Sequence, residues 1–212
     1  MRVGILGGTF DPVHLGHLII AEEARIRLRL DRVIFTPAGQ PWLKEGQPVT
    51  PAHHRLRMVE LAVASNPFFQ VVSSEIDRSG PTYTVETLEE LQSSLGPNAG
   101  LYFIVGMDAL EQFHRWKEPE RLLELCSLVV VSRPGHQGVD INNLVGRYPQ
   151  AGERLVLLTV PRIEISSTEI RRRVGEGISI RYLVPEVVDE YISEHGLYQA
   201  RRFPLTAESR EG

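Results

Sequence analysis

Residues 3–28 read "VGILGGTFDPVHLGHLIIAEEARIRL", an apolar start, two glycines, a proline and then a long apolar–polar alternation. The opening "RVGIL" (2–6) has the apolar character of a buried strand ending at Leu6. "LGHLIIAEEARIRL" (15–28) has helical periodicity, with an apolar stripe through Leu15, Leu18, Ile19 and Ile26 that Glu22 interrupts. A buried strand that breaks at glycine and re-enters as a helix is the first unit of a doubly wound α/β domain.

The rest of the chain repeats that grammar. "DRVIFTP" (31–37), "FQVVSSEI" (69–76), "LYFIVG" (101–106), "SLVVVSRPG" (127–135) and "RLVLLTVP" (154–161) read as strands. Between them, "AHHRLRMVELAVAS" (52–65) and "TVETLEELQSSL" (84–95) read as helices. Thr50 has the chemistry of an N-cap with Pro51 at the first helical position, and Gly96-Pro97 closes the second helix. "SSTEIRRRV" (166–174) opens with Ser166 and Glu169 in capping-box spacing, and "PEVVDEYISEHGLY" (185–198) is a last helix. Continuously apolar strands alternating with helices predict a parallel sheet covered on both faces, a Rossmann-like fold, with a small helical subdomain at about 160–200. We expect one domain over 1–200 and a polar tail, "RRFPLTAESREG", over 201–212.

Composition narrows the function classes. The chain has 212 residues, 42% hydrophobic and 24% charged, with a net charge of -4, which disfavours a general binder of nucleic-acid polymers. The lone cysteine, Cys126, lies beside an apolar run and reads as a buried small hydrophobe, fitting a reducing, cytoplasmic setting. No apolar run has the length of a membrane span, and "MRVGILGG" lacks the apolar core of a signal peptide.

In a doubly wound sheet a ligand sits at the carboxyl ends of the strands. Gly7, Gly8 and Thr9 fall there, and glycines let an anion approach backbone amides that a Cβ would shield. The helix starting at about Val13–Leu15 directs its first amides and dipole to the same place. His14 and His17, three positions apart, project from that turn along one face. A phosphate cradle with two imidazoles is the leading reading. A zinc pair with Asp11, lacking the rest of a tetrahedral ligand set, and ordinary surface histidines are the alternatives. The spacing matches neither the dinucleotide fingerprint nor a P-loop.

The stretch "GGTFDPVHLGH" (7–17), with its core His14-Leu15-Gly16-His17, resembles the signature of the H-x-G-H nucleotidyltransferase superfamily, and "ISSTEIR" (165–171) resembles its second motif. Together with "GPTYTVETL" (80–88), "IVGMDALEQFHRW" (104–116) and "SRPG" (132–135), the ordered set resembles bacterial nicotinate-nucleotide adenylyltransferases from Met1 to about Tyr198. The resemblance implies transfer of an adenylyl group from ATP, carried with Mg²⁺, to nicotinate mononucleotide, giving deamido-NAD and pyrophosphate. It implies an ATP site of Gly7, Gly8, Thr9, Phe10, His14, His17, Gly106, Asp108, Arg133, Ser166, Ser167 and Arg171. His14, His17 and Arg171 would serve the reacting phosphates. It further implies an acceptor site of Lys44, Tyr83, Thr84 and Trp116, with Trp116 stacked on the pyridine ring. Lys44 stands in "QPWLK", where family members often carry two prolines and a histidine, and Trp42 is a neighbouring loop contact or anchor. Asp108 would accept ribose hydroxyls or cap its helix, and Arg171 would hold pyrophosphate or share the solvated face of Arg172 and Arg173. His53 and His54 read as surface residues of a charged helix. A nicotinamide-preferring enzyme, another small-substrate adenylyltransferase and a non-catalytic nucleotide sensor stand as alternatives. Neither membrane nor nucleic-acid polymer is an expected partner, and self-association into a homo-oligomer is left open.

Overall fold

The computed structural model describes residues 1–41, 48–132, 141–161 and 163–199. The expectations for Trp42, Lys44, Arg133 and the 201–212 tail therefore lie outside the described residues. In chain order the elements are β1 (Arg2–Gly8), α1 (Leu15–Arg27), β2 (Arg32–Pro37), β3 (Gln40–Pro41), α2 (Ala52–Val63), β4 (Phe69–Val71), α3 (Ser74–Asp77) and β5 (Pro81–Thr82). There follow α4 (Thr84–Leu95), β6 (Gly100–Gly106), α5 (Met107–Glu111), a 3₁₀ turn (Phe113–Arg115), α6 (Pro119–Leu125) and β7 (Cys126–Ser132). The last are α7 (Ile141–Arg147), α8 (Ala151–Arg154), β8 (Leu155–Thr159), α9 (Ser167–Gly175) and α10 (Glu186–Glu194).

Six strands form one parallel sheet in the order β4-β2-β1-β6-β7-β8. Strand order reverses between β1 and β6, which is the switch point where a doubly wound sheet opens a crevice. Alternation along each strand splits the core in two. Leu6, Val33, Phe35, Ile104 and Val129 face one side, against Ala21 and Ala24 of α1, Met58 and Val59 of α2, Ile170 of α9 and Val188 and Ile192 of α10. Val3, Ile5, Phe103, Leu128 and Val130 face the other, against α4, α5 and α6. The two C-terminal helices thus complete the first face of the sheet's own core. A separate two-stranded parallel pair, β3 with β5, ties Gln40 and Pro41 to Pro81 and Thr82.

Several local expectations change. β1 continues past Leu6 to Gly8, because Gly7 and Gly8 still pair with Thr36 and Pro37 of β2. The buried face of α1 is Gly16, Ala21 and Ala24, while Ile26 is 58% exposed. Small residues let this helix lie close on the sheet, a choice that apolar periodicity alone does not resolve. "FQVVSSEI" is a strand only to Val71; its second half curls into α3, where the Ile76 and Asp77 amides donate to the Ser73 carbonyl at 2.7 and 3.0 Å. Pro51, not Thr50, is the N-cap of α2, and Thr50 is drawn into long-range bonds described below. His54 is not a plain surface residue. Its Nδ1 lies 2.9 Å from the Tyr191 hydroxyl of α10, and its ring packs 5.3 Å from that of His195. Cys126 is buried as expected, and burial pushes its thiol up to about 12, which makes it inert.

Two outcomes follow. Leu128, buried at the centre of β7, is expected on truncation to alanine to lose about 3 kcal/mol in chemical denaturation, from lost transfer energy plus the cavity. His54 is held below its usual 6.5, first by desolvation and then by the neighbouring His53 and His195 charges. The unfolded chain therefore takes up this proton first, so its stability cost is absent above 6.5 and grows as pH falls through and below that value. Thermal midpoints are expected to drop on acidification more steeply for the wild type than for His54→Gln; equal slopes would remove His54 from the account.

Candidate active site

The crevice at the carboxyl ends of β1 and β6 is lined first by the loop from Thr9 to His14, whose shape is set by buried polar bonds. Phe10 takes the left-handed region at φ 49° and is buried, its ring 5.9 Å from Phe35 and edge-on to His17 at 5.0 Å. That ring is what the second glycine accommodates: a Cβ at Gly8 would meet it at 3.1 Å, and a Cβ at Gly7 would meet Phe103 at 3.2 Å. The glycines make room for the protein's own aromatic rings.

Asp11 is 3% exposed, and its carboxylate accepts from the Thr50 amide at 3.3 Å and the Tyr198 hydroxyl at 2.7 Å. Burial, followed by the Asp11 charge, raises the Tyr198 phenol well above its usual range, so it stays a donor. Arg171 donates to the Asp11 carbonyl at 2.6 Å and Ser167 to the Pro12 carbonyl at 2.9 Å. The two motifs are 155 or more residues apart in sequence and directly bonded in space. Arg172 and Arg173, by contrast, are paired with Glu169, and Arg172 also with Glu176, which separates them from the Arg171 role. Ser166 is the N-cap of α9, its hydroxyl accepting from the Glu169 amide at 3.2 Å, as the motif spacing predicts.

His14 is the N-cap of α1 and His17 its third residue. The imidazoles stack at 3.7 Å between centroids and 25° between planes. The His14 amide donates to His17 Nδ1 at 3.2 Å. That bond favours the neutral tautomer in which Nε2 of His17 carries the proton and is a donor. The Leu15 amide donates to the Leu183 carbonyl at 3.0 Å and the His17 amide to the His14 carbonyl at 2.9 Å. These two amides of the first turn are thus already bonded within the protein. Among the described residues no three His, Cys, Asp or Glu side chains come together in a group that could hold a metal ion, His14, His17 and Asp11 included.

At the carboxyl end of β6, the strand paired with β1, Gly106 is the N-cap of α5 and Asp108 lies exposed in its first turn. Asp108 is thus not the cap of that helix. Tyr83 is the N-cap of α4 and Thr84 its first residue. Trp116 packs edge-on against Phe103 at 5.8 Å and at 5.6 Å from Phe113, half-buried, with its Nε1 enclosed and unpartnered. Tyr83 and Trp116 border the same core cluster, and Lys117 lies 4.7 Å from the Tyr83 ring centroid. Tyr83 and Trp116 thus lie against the second face of the sheet, with Thr84 opening α4 beside them, while His14, His17, Ser167 and Arg171 lie about the turn that follows β1.

Sequence reasoning missed Arg55. It is 1% exposed and donates to the carbonyls of Thr50 at 2.8 Å, Thr9 at 2.8 Å and Gly39 at 3.0 Å. A signal was present: Arg55, Met58, Val59 and Ala62 share one helical phase, so a cation stands on the apolar face of α2. Tyr198 had no such signal, being 187 residues from its partner.

Known proteins share this chain's sequence and fold. The cytidylyltransferase-like family model matches residues 5–173. A Roseiflexus sp. (strain RS-1) protein named "Probable nicotinate-nucleotide adenylyltransferase" is 53% identical over 197 residues, covering 93% of this chain and 98% of its own. A Thermomicrobium roseum protein of the same name is 49% identical, covering 93% and 92%. Among solved structures, a Plasmodium falciparum nicotinic acid mononucleotide adenylyltransferase complexed with NaAD superposes with a TM-score of 0.74 at 21% identity, over 93% of this chain and 97% of that one, which supports the fold. At 53% identity over 93% of its length to such a relative, the chain belongs to the nicotinate-nucleotide adenylyltransferases.

Proposed function

We propose that this chain joins ATP to nicotinate mononucleotide, giving deamido-NAD and pyrophosphate, a step of NAD biosynthesis. The observation that carries the site assignment is the bonding of the Ser167–Arg171 helix to the Asp11–Pro12 turn beside the stacked His14–His17 pair. Two helix starts and two imidazoles then bracket one place at the sheet's switch point.

The acceptor's own phosphate is the nucleophile. Its second pKa is about 6, so it is largely dianionic at neutral pH and no general base is needed. A phosphate oxygen forms a bond to the α-phosphorus while the bond to the bridging α–β oxygen breaks, and pyrophosphate leaves with the electron pair. The protein's part is alignment and charge neutralisation, and alignment can supply an effective molarity of about 10⁵ M or more. His17, donating a hydrogen bond from Nε2, stabilises charge growing on the α- and β-phosphates, with His14 stacked beside it. Arg171, already anchored on the Asp11 carbonyl, directs its charge to the leaving pyrophosphate with Ser166 and Ser167 at the α9 start. Thr9 and Phe10 hold the turn. Gly106 and Asp108 take the adenosine, Asp108 through ribose hydroxyls, and Arg133 is assigned to ATP by sequence resemblance alone. Trp116 stacks on the pyridine ring and Lys44 is assigned to the acceptor, again by resemblance. The start of α4 at Tyr83 and Thr84 presents amides and a positive dipole end to the ring carboxylate, which favours nicotinate over nicotinamide.

Mg²⁺ prefers oxygen ligands and near-octahedral geometry, whereas the groups at this turn are imidazoles, and the described residues offer no acidic cage. We assign the ion to the triphosphate and water, where it neutralises phosphate charge. Among the described residues no helix is long and apolar enough to cross a membrane. A cytoplasmic location suits the nucleotide substrates and the single buried thiol.

Pyrophosphate release with Mg-ATP is expected with nicotinate mononucleotide and about tenfold slower with the nicotinamide form. No release with either would remove the enzymatic reading and favour a nucleotide sensor. His17→Ala is expected to lose about 10²–10³-fold in kcat, with stability changed by about 1 kcal/mol at most in denaturant melts. Full turnover in that variant would contradict the role given to His17.

A further inference from the structure

We infer that Arg55 is a positioning residue that fixes the spacing between the phosphate side and the acceptor side of the site; this rests on the adenylyl-transfer reading above. Its guanidinium reaches three separate loops: Thr9 in the signature turn, Gly39 between β2 and β3, and Thr50 ahead of α2. The β1–β2 ladder ends at Gly8 and Pro37, with the Ala38 amide on the Gly8 carbonyl, and Thr50 meets Asp11; just beyond that ladder the fork ties Thr9, Gly39 and Thr50 together through one group. The contact continues towards the acceptor. Gly39 lies so close to the Glu75 carbonyl that a Cβ there would stand 2.1 Å from its oxygen. Glu75 is itself buried and accepts from the Thr87 hydroxyl at 2.9 Å, inside α4, the helix that begins with Thr84. An unbroken path of bonds and contact thus runs Thr9–Arg55–Gly39–Glu75–Thr87.

The chemistry explains why this residue is an arginine. Five N–H donors in a rigid plane can serve three carbonyls in different directions, whereas a lysine has one nitrogen on a flexible stem. Among the described residues its donors go to carbonyl oxygens, with the Asp11 and Glu75 carboxylates acting at longer range. Burying a guanidinium is unfavourable, and its bonds to the three carbonyls offset that cost. Arg55 bonds directly to the signature turn at Thr9 and reaches α4 only through Gly39 and Glu75, so it acts on the geometry between them.

The test compares Arg55→Met, Arg55→Lys and Gly39→Ala by steady-state kinetics with each substrate varied, alongside thermal melts. Arg55→Met is expected to be folded, yet to raise KM for both ATP and nicotinate mononucleotide and to lower kcat/KM about 10²-fold. Gly39→Ala moves the Gly39 carbonyl while leaving the guanidinium in place, and is expected to impair both substrates in the same direction. Arg55→Lys is expected to rescue neither KM. If the melts shift while folded Arg55→Met and Gly39→Ala keep kcat and KM within about twofold of wild type, the role is structural and the inference is overturned. A rise confined to one substrate also overturns it. Wild-type protein in the same assay separates the two claims: inactivity there overturns the reaction, and this inference with it.

Discussion

A parallel sheet delivers its ligand to loops, and loops have no ladder to hold them. Here that constraint is met by two buried charged groups at the switch point, Asp11 and Arg55, each bonded to segments distant in sequence. Asp11 ties the signature turn to Thr50 and to Tyr198 near the end of the described chain. Arg55 ties the same turn to Gly39 and Thr50. Isolated charges in an apolar interior would be strongly destabilising, and bonds to amides, carbonyls and a hydroxyl offset that penalty. The histidine pair stands where it does because this frame is rigid.

The frame divides the work between the faces of the sheet. On one side α1 and α9 meet, bringing His14, His17, Ser167 and Arg171 around one turn. On the other, Tyr83 and Trp116 border the cluster built on Phe103. In a reaction whose nucleophile is already ionised, rate comes from holding two anionic phosphates in line and dispersing charge. Imidazoles, a guanidinium and helix starts suit that task, and a deprotonating carboxylate has no part in it.

Much of this was legible in the sequence because it depends on local patterns. Strand–helix alternation gave the doubly wound sheet, and the spacing of Ser166 and Glu169 gave the cap of α9. What was not legible depends on tertiary packing. The buried face of α1 is chosen by small residues under a close sheet, so Ile26 points outward despite its apolarity. That Gly7 and Gly8 also leave space for the Phe103 and Phe10 rings depends on residues brought in by the fold. Tyr198 meets Asp11 only when the chain folds back across the whole domain. Arg55 was readable in principle, as a cation on an apolar helical face.

The account's central claim is that the two substrates react directly, with no group of the protein acting as nucleophile. The most direct test is the stereochemical course at the α-phosphorus, followed with an isotopically chiral α-phosphorothioate of ATP. A single in-line displacement predicts inversion of configuration in the dinucleotide product. Retention would require an adenylyl-enzyme intermediate, and would contradict the roles assigned to His14, His17 and Arg171 as charge-neutralising groups.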